Sequence, residues 1–284
     1  HFLDMNPTGG CIYFESESAL TSDMLKERGI DTKRVYHMPV ATVEEFRHQA
    51  VKILEKHGEL KETERPPLMM CLDSLGMLST IKEMKDVSED NQKRDMTKAQ
   101  VIKGAFRVLT LMLAKVNVPF IVTNHVYDQI GSLYPVKVMG GGNAMQYAAS
   151  SIVFLSKRKE KEGTEVIGNI IHCKMQKSRM TKENKMVDVL LTYRHGLSKY
   201  YGLLEMAEAA GIFKKVSTRY ELPDGSKLFG KQILKNPEKH FTEDILNQID
   251  NYTKVEYTYG RTGDDEIGGE EPEGDDTITD KESL

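Results

Sequence analysis

Leu68-Met69-Met70-Cys71-Leu72 is an unbroken apolar run that follows Pro66-Pro67 and ends on Asp73-Ser74. Five apolar residues in a row, bounded by a turn signal and then by polar residues, describe a strand buried on both faces. Working outward, Cys11-Ile12-Tyr13-Phe14, Arg34-Val35-Tyr36-His37 and residues 119–123 read the same way. Helical patterns separate them. Residues 19–28 form one, ended by Gly29. Residues 43–57 form a second, with Val43, Phe46, Ala50, Ile53 and Leu54 near a 3.6-residue period. Residues 97–116 form a third, with Thr97 or Asp95 as cap. Strand–helix–strand alternation predicts a mostly parallel sheet flanked by helices on both faces, an α/β fold. Three more strands, 151–155, 166–173 and 186–192, are joined by short polar connections and predict an antiparallel extension.

The reading divides the chain into a core (1–201), a small mixed α+β domain (202–259) and an acidic tail (260–284). The tail is rich in Gly, Asp and Glu, a composition that predicts disorder. The 284 residues are 29% charged and 39% hydrophobic, as in a soluble globular protein. No run approaches the roughly 18 apolar residues a membrane span needs. No basic-then-apolar leader is present, so a cytoplasmic protein without a membrane partner is expected. Cys11, Cys71 and Cys173 form no CxxC pair and read as buried thiols, not zinc ligands. Charge is uneven. Residues 264–284 hold ten acids and one lysine, a net of −9, against −4 for the whole chain, which leaves residues 1–263 at +5. A basic body with an acidic tail suits a protein that meets nucleic acid; a purely solvating tail is the other reading.

In parallel α/β sheets ligands bind beyond the carboxyl ends of the strands, so the residues after each strand are where chemistry is sought. Asp73 at a buried strand tip is the Walker-B arrangement, a carboxylate placed to position Mg²⁺ beside nucleotide phosphates. Glu15-Ser16-Glu17 follows the first strand. Glu17 suits a general base for an attacking water, and it equally suits a helix start. Asn124-His125 follows the strand at 119–123 and places a polar pair where a γ-phosphate is read. Two stretches, 79–95 and 126–142, read as long loops. They carry Lys82, Lys85, Lys93, Arg94, Tyr127, Tyr134, Lys137 and the run Gly140-Gly141-Gly142-Asn143. Loops this long are functional or disordered, and lysine, tyrosine and glycine together suit single-stranded nucleic acid. Lids over a small-molecule site are the other reading.

The order Glu15-Ser16-Glu17, Asp73-Ser74-Leu75-Gly76, Asp95-Met96-Thr97, Thr123-Asn124-His125, Val138-Met139-Gly140-Gly141-Gly142, Lys177-Ser178-Arg179 and Tyr201-Gly202-Leu203-Leu204 resembles the RecA family of recombinases. Within it the resemblance is to the branch found in T-even-type bacteriophages. It runs from about residue 11 to 212 and more weakly to 252. It implies a RecA-like ATPase core that uses ATP and Mg²⁺, forms helical filaments on single-stranded DNA, pairs it with double-stranded DNA and exchanges strands in recombination, repair and recombination-dependent replication. It implies Glu17 as catalytic glutamate and Asp73 as the Walker-B acid and water-mediated Mg²⁺ partner. Glu15, Thr21, Met24, Ser74 and His125 would line the nucleotide, with His125 as the strand-end switch residue. Lys82, Lys85, Lys93, Arg94, Lys98 and Lys103 would face DNA, as would Tyr134, Lys137 and residues 140–143. Lys177 and Arg179 would reach a neighbouring subunit's ATP site. A recombination mediator and a single-strand-binding protein are the further partners expected. A non-hydrolysing filament modulator, or a helicase or clock-type ATPase, are the alternatives on the same core.

Three departures stand out. Met24 replaces the family's usual aromatic residue against adenine, and Glu15 replaces a more usual Asp. The 284 residues contain no G-x-x-x-x-G-K-[ST]. Gly225-Ser226-Lys227-Leu228-Phe229-Gly230-Lys231-Gln232 ends in Gln and follows the turn Pro223-Asp224, so it is not a phosphate loop. The chain therefore reads as the portion downstream of that loop, an N-terminal truncation, with a natural subunit lacking the loop as the other reading.

Overall fold

The computed structural model describes residues 1–89, 97–128, 137–142 and 144–259. They fall into two compact units, His1–Ala149 and Ser150–Leu284, so the boundary read at 201/202 lies inside the second.

In the first unit a short helix, α1 (Phe2–Met5), precedes strand β1 (Gly10–Glu15). Then come α2 (Ser22–Glu27), β2 (Val35–Pro39), α3 (Val43–Glu59) and β3 (Leu68–Asp73). They are followed by α4 (Ile81–Ser88), α5 (Lys98–Val116) and β4 (Phe120–Val122). The four strands form one parallel sheet in the order β2-β1-β3-β4. Ile12, Phe14, Met70 and Leu72 point to one face, where Val43, Phe46, Ala50 and Leu54 of α3 and Ile102, Ala105, Phe106 and Leu109 of α5 bury them. Phe46 sits edge-on to Phe14 at 5.0 Å and stacks on Phe120 at 6.0 Å, joining both sides of the core.

The sequence predicts helices on both faces; here the two long helices share one. The steps β2→β3 and β3→β4 run in the same direction across the sheet, and right-handed crossovers then place their helices together. The step β1→β2 runs the other way and is filled by α2, which buries none of its residues. On the face away from α3 and α5, Ile121 remains 56% exposed.

The stretches read as loops carry structure. Helix α4 begins in a capping box: the Glu83 amide donates to Thr80 Oγ1 and the Thr80 amide to Glu83 Oε2, both at 3.0 Å. β5 (Val126–Asp128) and β6 (Lys137–Met139) pair as an antiparallel hairpin, and α6 (Ala144–Ala148) comes next in the chain. Thr97 stands at the N-cap of α5, although its side chain makes no capping bond.

The second unit opens with an antiparallel sheet, β7 (Ser151–Glu162), β8 (Glu165–Ser178), β9 (Met186–Thr192) and β10 (Gly196–Leu197), in the order β10-β9-β8-β7. After α7 (Leu203–Ala209) comes a meander of β11 (Lys214–Val216), β12 (Arg219–Glu221) and β13 (Lys227–Leu228). The chain then forms α8 (Gly230–Lys235), α9 (Pro237–His240) and α10 (Glu243–Tyr257) around Leu204, Phe213, Ile233, Phe241 and Ile249. Asp224-Gly225 lies between two antiparallel strands, the wrong setting for a phosphate loop. Among the described residues no helix is long and apolar enough to cross a membrane.

Candidate active site

The strand order turns back at β1: the chain leaves β1 toward β2, then returns past it to β3. Such a switch point opens a crevice beyond the carboxyl ends of the two strands. Glu15 and Asp73 are register partners at those ends. The residues immediately beyond these two acids line the crevice.

Glu15 is only 4% exposed, and its carboxylate shapes the turn after β1. Oε1 accepts from the amides of Glu17 at 3.1 Å and Ala19 at 2.8 Å, and Oε2 lies 3.6 Å from His37 Nε2. Ser16 ties the two strand ends together: its Oγ donates to Ser74 O at 2.9 Å and accepts from the Ser74 amide at 2.8 Å. Glu17 is thereby presented to Ser74, whose hydroxyl donates to Glu17 Oε1 at 2.9 Å. His125 closes the group, with Nε2 3.5 Å from Ser74 Oγ and 3.6 Å from Glu17 Oε1. Gly76 makes room for it, since a Cβ there would meet His125 Cδ2 at 2.6 Å.

Asp73 is held on both oxygens, Oδ2 by the Tyr13 hydroxyl at 2.6 Å and Oδ1 by the Thr123 hydroxyl at 2.5 Å. Burial, with Asp73 as its hydrogen-bond acceptor, pushes the Tyr13 phenol well above its ordinary range, so Tyr13 stays a donor. Each carboxylate oxygen keeps a second lone pair, which leaves Asp73 fixed in orientation and still able to accept.

The group is wired to the β5–β6 hairpin. Asn124 Oδ1 accepts from the His125 amide at 2.9 Å, Asn124 Nδ2 donates to Gly140 O at 2.9 Å, and the Gly140 amide donates to His125 O at 3.0 Å. Gly141 and Gly142 come after it at φ +80° and +75°, and a Cβ on Gly141 would strike Ile102 at 2.8 Å.

The structure thus brings together Glu15, Glu17, Asp73, Ser74 and His125. Thr21 caps α2 by accepting from the Met24 amide at 3.2 Å, and Met24 is exposed. Of the basic residues expected at DNA, Lys85 pairs with Glu89 at 3.8 Å, Lys98 with Glu83 at 3.6 Å and Lys137 with Asp128 at 2.6 Å. Lys82 lies on α4, while Lys103 of α5 lines a hollow of about 190 Å³ with Gly141 and Tyr147. Lys93, Arg94, Tyr134 and Asn143 lie outside the described residues. Lys177 and Arg179, at the end of β8, belong to the second unit. Sequence reading missed Tyr13, Ser16 and Thr123 as parts of the site. Their role depends on inter-strand register, and only the polar run around Ser16 hints at it.

A parallel sheet with this switch point, its polar residues gathered beyond the carboxyl ends of β1 and β3, defines an α/β core of the open, ligand-binding class. The family model for the RecA N-terminal domain matches residues 4–198, and the chain belongs to the RecA family. It is 31% identical to the Recombination and repair protein of Enterobacteria phage T4 over 216 residues, 75% of this chain and 53% of that one. It is 26% identical to Protein RecA of Chloroherpeton thalassium over 243 residues, 85% of this chain and 65% of that one. Protein RecA of Streptomyces rimosus is 23% identical over 257 residues, 89% and 65%. The chain therefore spans about half to two-thirds of the length of these relatives.

Proposed function

We propose that the chain carries the hydrolytic and DNA-contacting part of an ATP-dependent recombinase that coats single-stranded DNA as a filament and exchanges strands. The observation that carries this reading is the Glu17–Ser74–His125 group beside Asp73 at the switch point of a RecA-family sheet. Mg²⁺ takes one or two carboxylates and keeps several waters, so a lone oriented Asp73 fits it without a protein cage. Bound ATP with Mg²⁺ supplies the phosphoryl group to be transferred to water. Glu17 orients the water and takes its proton, and the Ser74 hydroxyl holds the Glu17 carboxylate in place. His125, through Asn124 and Gly140, passes the state of the site to the hairpin that meets DNA. Lys177 and Arg179 serve the neighbouring subunit in the filament, where cations steady developing phosphate charge.

The test is ATP turnover with single-stranded DNA by the chain joined in cis to a phosphate-loop segment. Glu17→Gln should lower turnover about 10²- to 10⁴-fold with DNA affinity kept. Unchanged turnover would overturn the role of Glu17. No turnover by the parent form, with DNA binding kept, would favour a non-hydrolysing filament protein.

A further inference from the structure

The connection from β8 to β9 carries Lys177, Ser178 and Arg179, and it is closed from within. Ser178 is almost fully buried. Its amide donates to Glu183 Oε1 at 2.9 Å, and its hydroxyl oxygen accepts from the amides of Met180 at 3.2 Å and Thr181 at 3.0 Å. The Thr181 hydroxyl donates to the same oxygen at 2.8 Å. Asn184 turns the chain at φ +62°, with its amide on Met175 O at 2.8 Å.

A second set of contacts comes from some seventy residues downstream. Lys185 Nζ meets Glu256 Oε1 at 2.5 Å and lies 5.6 Å from the centre of the Tyr257 ring. The Lys182 amide donates to Tyr257 O at 2.7 Å, Thr181 bridges Thr258 in antiparallel fashion, and the Glu183 amide donates to Tyr259 Oη at 3.3 Å. Four consecutive residues at the end of α10 thus hold Thr181, Lys182, Glu183 and Lys185. Glu183 in turn holds Ser178, the residue between the two cations. The seam forms part of the wall of a groove of about 520 Å³, to which Thr181, Tyr257 and Thr258 contribute together with Val187, Met206 and Ile249. The end of α10 therefore bears directly on the β8–β9 connection.

We propose that Glu256–Tyr259 position the Lys177–Arg179 segment, which makes the end of α10 a positioning element for the cross-subunit contact. This rests on the role given to Lys177 and Arg179 above. Cations stabilise developing charge in proportion to how well they are placed, and hydrogen bonds made in advance supply that placement. The effect of Lys185, Glu256 and Tyr259 travels through Glu183 and Ser178.

The experiment uses the full 284-residue chain. Amide hydrogen exchange is followed in Glu256→Gln, in Tyr259→Phe and in the swapped pair Lys185→Glu/Glu256→Lys. The amides of Ser178, Thr181 and Lys182 should exchange about two- to fivefold faster in the single variants, the range that losing one exposed ion pair or one hydrogen bond supplies. The amides of Ile170 and Val189 in the β8–β9 ladder should stay unchanged, and the swapped pair should restore protection. Assembly on a single-stranded oligonucleotide, with ATP and Mg²⁺, is measured in parallel by sedimentation of the same variants joined in cis to a phosphate-loop segment. Lys177→Ala/Arg179→Ala should weaken it, Glu256→Gln should weaken it in the same direction, and the swapped pair should recover it. Unchanged exchange at residues 178–182 in both single variants overturns the hold of α10 on this connection. Faster exchange with assembly untouched by Glu256→Gln, where Lys177→Ala/Arg179→Ala does weaken it, overturns the positioning role. If Lys177→Ala/Arg179→Ala has no effect on assembly, the cross-subunit reading itself falls, and the exchange data still report separately whether that hold exists.

Discussion

Asp73 shows how a carboxylate at a strand tip is made to face one way. Tyr13 lies diagonally across β1 on the same face, and Thr123 follows β4; each places a hydroxyl on a different oxygen of Asp73. Removing one donor leaves a charged acceptor short of a partner. Tyr13→Phe should therefore cost about 1 to 2 kcal/mol, the range for hydrogen bonds to a charged group after allowance for partial exposure. The cost also depends on pH. The folded protein raises the Tyr13 phenol above its ordinary value, so folding favours the protonated form. That stability is fully present below the ordinary phenol pKa of about 10 and is lost as pH rises through the folded value. Urea unfolding of both proteins should show a gap that is constant at neutral pH and narrows in the alkaline range. A gap that widened there would contradict the assigned hydrogen bond.

Helix α4 is the element whose existence was least evident. Its sequence, Ile-Lys-Glu-Met-Lys-Asp-Val-Ser, is mixed in charge, and although Ile81, Met84 and Val87 recur every third residue, only three apolar residues in one short stretch mark it off from a loop. The stronger signal is Thr80-x-x-Glu83, a reciprocal cap that stabilises the first turn. Thr80→Ala should cost about 1 kcal/mol of stability, measured by denaturant unfolding, whereas Lys82→Ala on the same helix should cost less than half of that. Equal costs would mean that the cap does not hold the helix. The same contrast explains what else was legible. The run at 68–72 and the 3.6-period pattern at 43–57 fix a strand and a helix because apolar spacing carries them, and α3 indeed covers Val43–Glu59. β7 and β8 extend well past the expected 151–155 and 166–173. The charged residues 157–162 read as loop, while hairpin pairing tolerates them on exposed edges. The positions of Glu17, Asp73 and His125 at or just beyond strand ends were readable because each comes after an apolar run. Tyr13, Ser16 and Thr123 were not, because their partners are set by the register of one strand against another.

For the whole molecule, the uneven charge makes the most direct statement about DNA. Residues 264–284 hold a net of −9, and the residues before them +5. On the function proposed above, a nucleic-acid backbone would meet a mildly basic body and a strongly acidic segment able to compete with it for the same cations. Affinity for single-stranded DNA should fall linearly in log–log form as salt rises, by about 0.7 per phosphate neutralised. Removing residues 264–284 should tighten binding about tenfold near 0.05 M salt. The difference should vanish near 1 M, where the screening length is only about 3 Å. Fluorescence anisotropy with a labelled oligonucleotide across that range measures both quantities. If the tail only solvates the chain, the two titrations superimpose at every salt concentration. If it competes with DNA through charge, they diverge at low salt and converge at high salt. A tightening that persisted undiminished at 1 M would instead place the tail's effect in steric or apolar contact, and the electrostatic account would fail.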